Sequence, residues 1–98
     1  MYKEIKIMYT DSLRSELITI FNELGIEKYM NLSGLEATWA KNFRHLNNRV
    51  WPGTDSLMFM VIDELKTKEL LEKLRVLKSE LVEGAALFAT VTPLDELL

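Results

Sequence analysis

The chain has 98 residues, nearly half of them hydrophobic, no cysteine and a formal net charge of −3. A chain this short is expected to form one domain with a thin stability margin, because it buries only about 60–70 % of its unfolded surface. The lack of cysteine excludes disulfides and thiolate metal sites, and the net acidity argues against bulk nucleic-acid binding. Met1-Tyr2-Lys3-Glu4-Ile5-Lys6 carries no signal-peptide core, and no apolar run reaches the roughly 20 residues that span a bilayer. A soluble, cytoplasmic protein without membrane insertion is expected.

Tyr2 to Tyr9 reads as a first strand, with Lys3, Ile5, Ile7 and Tyr9 on one face and Tyr2, Glu4, Lys6 and Met8 on the other. Asp11 is the expected N-cap of the helix that follows. Leu13, Leu17, Ile20, Phe21 and Leu24 form one apolar stripe on that helix, and Gly25 ends it. Ile26 to about Ala40 is expected to hold the second strand, with Tyr29, Met30, Leu32, Leu35 and Trp39 as its apolar members and Gly34 marking a bulge or close approach.

Lys41 to Asp55 is rich in Asn and contains Pro52-Gly53, which predicts an irregular loop. Ser56 to Asp63 is apolar almost throughout, as expected of a central strand buried on both faces. Glu64 to about Val82 carries Leu70, Leu74, Leu77 and Leu81 on one stripe, with Glu69 and Lys73 as a supporting pair and Glu83-Gly84 as the closing turn. Ala85 to Val91 is the last strand, stopped by Thr92-Pro93, and Leu94 to Leu98 is a short apolar and acidic tail. Strand, helix, strand, loop, strand, helix, strand is a doubled β-α-β pass. It predicts an α+β, ferredoxin-like βαββαβ sandwich: an antiparallel four-stranded sheet with two helices on one face. The uncovered face must then be buried by something else, and a homo-oligomer, most naturally a trimer, is expected.

Charge is distributed unevenly. Ala37 to Thr54 holds Lys41, Arg44, Arg49 and His45 with no acid, while the rest of the chain sets 9 cations against 15 acids. A cationic loop of this kind, interleaved with Trp39, Phe43 and Trp51, can capture a phosphate, a carboxylate or an acidic protein surface. The aromatic residues are expected to pack on something, with the next subunit as the default for Trp39 and Trp51. Gly34 and Gly84 are positions where a ligand could approach the backbone, although a helix cap is the simpler role for Gly84. No catalytic set, cofactor motif or phosphate-loop glycine pattern is present, so a non-enzyme is expected. His45 by itself is a weak metal signal, with Glu36, Asp55 or residues of a symmetry partner needed to complete a site.

Tyr2-Lys3-Glu4-Ile5-Lys6-Ile7, Leu24-Gly25-Ile26, Ser33-Gly34, Ser56 to Ile62 and Ala86-Leu87-Phe88-Ala89-Thr90-Val91 together give an arrangement that resembles the PII-like signalling superfamily. The resemblance spans nearly the whole chain and rests on topology, spacing and apolar pattern. It implies a ferredoxin-like trimer that binds a small molecule between subunits, with a recognition loop at about 40–55 and a partner protein such as a transporter. Val82-Glu83-Gly84-Ala85 has an acid and no lysine where typical members cradle nucleotide phosphates, and the central loop is shorter and lacks their modifiable tyrosine. The better comparison is therefore with divergent PII-like proteins and the divalent-cation tolerance trimers. The leading expectation is a nitrogen-regulatory PII-like protein that binds a small anionic ligand, with a nucleotide among the candidates. The ligand-binding set would be Gly34, Trp39, Lys41, Arg44, His45, Arg49, Trp51 and Gly84. The alternatives are a divalent-cation tolerance-type metal-binding trimer and a small ferredoxin-like enzyme of the monooxygenase type.

Overall fold

In the computed structural model, which describes residues Met1–Leu98, the chain runs through β1 (Tyr2–Thr10), a single 3-10 turn (Asp11–Leu13) and α1 (Arg14–Leu24). It continues through β2 (Met30–Leu35), β3 (Ala37–Ala40), β4 (Phe43–His45), β5 (Asp55–Asp63), α2 (Glu64–Ser79) and β6 (Leu87–Pro93). Four strands form one antiparallel sheet in the order β2-β5-β1-β6, and β3 and β4 pair as a separate two-stranded sheet. The four-stranded order is that of a ferredoxin-like sandwich, as the doubled β-α-β pass predicts. No helix is long and apolar enough to cross a membrane.

The core forms where the two central strands alternate in phase. Ile5 pairs with Met60 and Ile7 with Met58, and all four side chains face the helices and are buried. Leu17, Ile20 and Phe21 of α1 and Leu70 and Leu74 of α2 close over them, joined by Leu13, Ile26, Ile62 and Leu87. The apolar stripes predicted for both helices are the faces that pack. Thr67 joins the α2 stripe, where its hydroxyl donates 2.8 Å to the Asp63 carbonyl. Tyr9 is fully buried, and its hydroxyl passes beneath β5 to donate to Asn31 Oδ1 on β2 at 2.8 Å. This bond ties the first strand to an edge strand that it does not touch through the ladder.

Gly25 closes α1 as expected: it takes the left-handed conformation at φ +71°, and the amide of Ile26 donates to the Phe21 carbonyl at 2.8 Å. Gly34 marks a register shift between Leu32 and Leu35, the predicted bulge.

Several local expectations are corrected. The second strand ends at Leu35, and Trp39 belongs to β3 of the hairpin. Asp11 does not cap a helix; its carboxylate accepts from the hydroxyls of Thr54 and Ser56, so it fastens the start of β5 to the end of β1. Lys73 pairs across the helices with Glu23 at 3.0 Å and not with Glu69, because the two helices pack side by side. The second helix stops at Ser79 with Glu80 as its cap, which leaves Gly84 in the turn before β6.

β5 is buried on its helix side at Ser56, Met58, Met60 and Ile62, whereas Leu57, Phe59 and Val61 on the other side remain half-buried. Two helices cover only one face of a sheet. On the open face Leu32, Leu57, Met8 and Phe88 line up across all four strands, and Leu32 is 58 % exposed.

Two substitutions test this packing. Leu17→Ala, at a fully buried position, should lower stability by about 2–5 kcal/mol, read as a fall in the urea midpoint at unchanged slope. Gly25→Ala should cost roughly 1–2 kcal/mol although a Cβ there meets nothing closer than 3.8 Å, since the penalty lies in the backbone.

Candidate functional site

The predicted site residues gather at the end of the sheet where β5 begins. Asp55, the first residue of β5, pairs with Thr10 on one side and with Leu35, next to Gly34, on the other. Thr10 in turn exchanges hydrogen bonds with Ala86: its amide donates to the Ala86 carbonyl at 3.0 Å, and its hydroxyl accepts from the Ala86 amide at 2.7 Å. That exchange brings the Gly84 turn to the same end.

The stretch predicted to be irregular is organised. β3 and β4 pair with Ala37 opposite His45 and Thr38 opposite Arg44, with an irregularity before Ala40. Strand alternation separates two faces, Trp39, Phe43 and His45 on one and Thr38 and Arg44 on the other. After β4, the side chain of Asn48 accepts from the amides of Val50 and Trp51 at 3.1 and 2.7 Å, and Asn47 takes the left-handed conformation at φ 54°. The asparagines thus supply turn chemistry that a purely irregular loop would lack.

The inner face of the hairpin converges on one carboxylate. Asp55 is 2 % exposed; one oxygen lies 2.8 Å from His45 Nδ1 and the other 2.5 Å from the Trp39 indole nitrogen. A buried carboxylate needs such donors, because an unpaired one would cost several kcal/mol. Trp39 also stacks on Phe88 at a centroid distance of 4.7 Å, and Phe43 meets the His45 ring edge-on at 5.4 Å. Trp39 therefore packs on Phe88 of its own chain, because the hairpin folds back over the open sheet face.

The His45 ring is oriented by this bond. Its Nε2 has no partner within the chain, and no buried side-chain polar atom goes unbonded, so Nε2 opens to solvent. His45 is thus part of the anchor and is buried on the inner face, apart from the exposed cations of the sequence-predicted cluster. Within the chain His45 and Asp55 form a pair that no third His, Cys, Asp or Glu joins in a metal-binding group.

The outer side is where charge is free. Lys41 and Arg49 are exposed and Arg44 is half-buried, and none of the three forms an ion pair. The Arg44 guanidinium lies 5.8 Å from the centre of the half-buried Trp51 ring, and its Nε donates to the Lys41 carbonyl at 3.1 Å. Those contacts hold the arginine in place while leaving its terminal donors available. Sequence reasoning missed Asp55 as the anchor and Phe88 as the platform. An acid opening an otherwise apolar strand, ten residues after the only histidine, was the available signal.

In its neutral form His45 should carry its hydrogen on Nδ1 and leave Nε2 bare. Nitrogen-15 NMR of the labelled imidazole checks this, and a ring protonated on Nε2 would contradict the bond to Asp55.

No family model matches the chain, and no curated protein matches it in sequence. Solved structures do match in fold. CPII of Thiomonas intermedia K12, bound to ADP and bicarbonate, aligns with a TM-score of 0.69 at 13 % identity over 92 % of this chain and 84 % of its own. A proposed PII-like signalling protein of Thermus thermophilus aligns at 0.58 with 20 % identity over 92 % of this chain and 83 % of its own. A functionally unknown protein of Pediococcus pentosaceus ATCC 25745 aligns at 0.66 with 14 % identity over 99 % and 95 %. The resemblance read from the sequence is borne out in the fold: this chain has the ferredoxin-like α+β fold that these PII-like proteins share.

Proposed function

We propose that the protein is a PII-like regulator, not an enzyme, that binds a small oxyanion or a nucleotide through the outer side of the β3–β4 hairpin. The observation that carries this reading is the set of three cations without carboxylate partners, Lys41, Arg44 and Arg49, on a segment that holds no acid of its own. Guanidinium and ammonium donors in that position suit carboxylate, bicarbonate or phosphate oxygens. Support also comes from the ligands of its structural relatives: CPII has been solved with ADP and bicarbonate, and with ADP, AMP and acetate. Trp51 backs Arg44, and Gly34 and Gly84 lie at the same end of the sheet, so the ligand would sit between this end and a neighbouring subunit.

The assembly we favour is a homo-oligomer, specifically a trimer, in which open sheet faces cover one another. The row Leu32, Leu57 and Met8, with Met30 and Phe59 beside it, supplies the apolar surface for it. Ligand binding would set the position of the hairpin and so control a partner protein, with a transporter as the class we propose.

Thermal unfolding with added ADP and bicarbonate, separately and together, tests this reading. A ligand at a hundred times its Kd adds about 2.7 kcal/mol, a rise on the order of 10 °C for a chain of this size. Replacing Lys41, Arg44 and Arg49 together by Ala should remove that rise without changing the mass of the native assembly. A full ligand shift in the triple variant would refute the site.

A further inference from the structure

The hairpin is attached to the body by side chains alone. It forms its own two-stranded sheet, and no turn or loop backbone hydrogen bond joins residues 37–45 to the four-stranded sheet. Three contacts hold it: Trp39 to Asp55, His45 to Asp55, and Trp39 on Phe88. Both hydrogen bonds end on the same carboxylate. A glycine in the left-handed region flanks the segment on each side, Gly34 at φ +71° in the bulge near the end of β2 and Gly53 at φ +89° before β5. Large backbone rotations are absorbed most easily at such positions.

We propose that residues 36–52 form a releasable strap, that Asp55 is its latch, and that release uncovers the Phe88 end of the open sheet face. The latch is all-or-none in character, because removing one carboxylate strands both donors at once. Phe88 is already 38 % exposed with Trp39 seated on it, so lifting the indole lengthens the apolar row that Leu32, Leu57 and Met8 begin. Arg44 and the two side chains that reach the latch, Trp39 and His45, lie on opposite faces of β3 and β4. Thr38 and Arg44 directly flank Trp39 and His45 in sequence, and a pull on the outer face is therefore felt at the inner one. The proposal extends the reading of the hairpin as the responsive element, but its test uses no ligand and stands or falls independently of ligand binding.

The test compares the wild-type protein, Asp55→Ala and Trp39→Phe by amide hydrogen exchange resolved to peptides. Trp39 fluorescence is followed in parallel in a Trp51→Phe background, and Nile red reports exposed apolar surface. Loss of charge-assisted bonds to the latch should raise exchange across residues 37–45 by about tenfold or more while β1 and β5 keep their protection. Trp39 should become more accessible to acrylamide and Nile red emission should rise. Trp39→Phe keeps an aromatic ring on Phe88 but loses one donor, and should open the hairpin to a smaller extent.

Hairpin protection and Trp39 quenching unchanged in Asp55→Ala would overturn the proposal. Where Asp55→Ala loses protection throughout the chain, Trp39→Phe decides. Opening confined to the hairpin supports the strap; unchanged exchange, or loss shared equally with β1 and β5, makes the hairpin part of one cooperative unit and defeats it.

Discussion

The pairing of β1 with β5 sets the phase for everything else in the molecule. Nine consecutive residues of each strand face one another, from Tyr2 opposite Asp63 to Thr10 opposite Asp55. Because side chains alternate, a slip of one residue would move Ile5, Ile7, Met58 and Met60 from the helix side to the open side. Each such side chain contributes about 1.5–3 kcal/mol when fully buried, so the slipped register is excluded by several of these at once. Both helices then have a single way to lie, with their apolar stripes down on these two strands.

The same register places the anchor of the hairpin. It brings the first residue of β5 level with the last of β1 and beside Leu35 of the bulged edge strand. Asp55 thereby lies at the rim of the open face, where the chain between Leu35 and Thr54 returns to the sheet. A carboxylate at that rim can stay charged and buried only if donors come to it, and the folded-back hairpin brings an indole and an imidazole. Packing and polar pairing act in sequence here: the core sets where the acid stands, and the acid sets where the hairpin lies. The cations on the far side are left to the solvent and to whatever binds there.

The elements with a strong period were legible from residues alone. Leu17, Ile20 and Phe21, Leu70 and Leu74, and the alternating Ile5 and Ile7 mark their faces without help from the rest of the chain. Gly25 and Gly34 were legible because their conformations have few other uses. The hairpin was not. Ala37–Ala40 and Phe43–His45 are too short to show a period, and their Asn-rich surroundings read as irregular. Asp11 has the composition of a helix cap and became a cross-strand acceptor because Thr54 and Ser56 arrive beside it, 43 and 45 residues later. Lys73 likewise had a plausible partner one turn away and found another on the neighbouring helix. The cluster of cations could be read from sequence, but the inward turn of His45 depends on a contact that only the folded chain makes.

Both margins of the four-stranded sheet are blunted. On one side the outermost strand is broken by the bulge at Gly34, and on the other it ends in Pro93, which has no amide hydrogen to offer. The bulged side presents no long straight row of free donors and acceptors onto which another chain could stack, and the β6 side stops at Pro93 after seven residues. Copies of this protein are thereby steered away from open-ended fibrous growth. Contact between copies by strand addition is disfavoured relative to contact through the faces of the sheet.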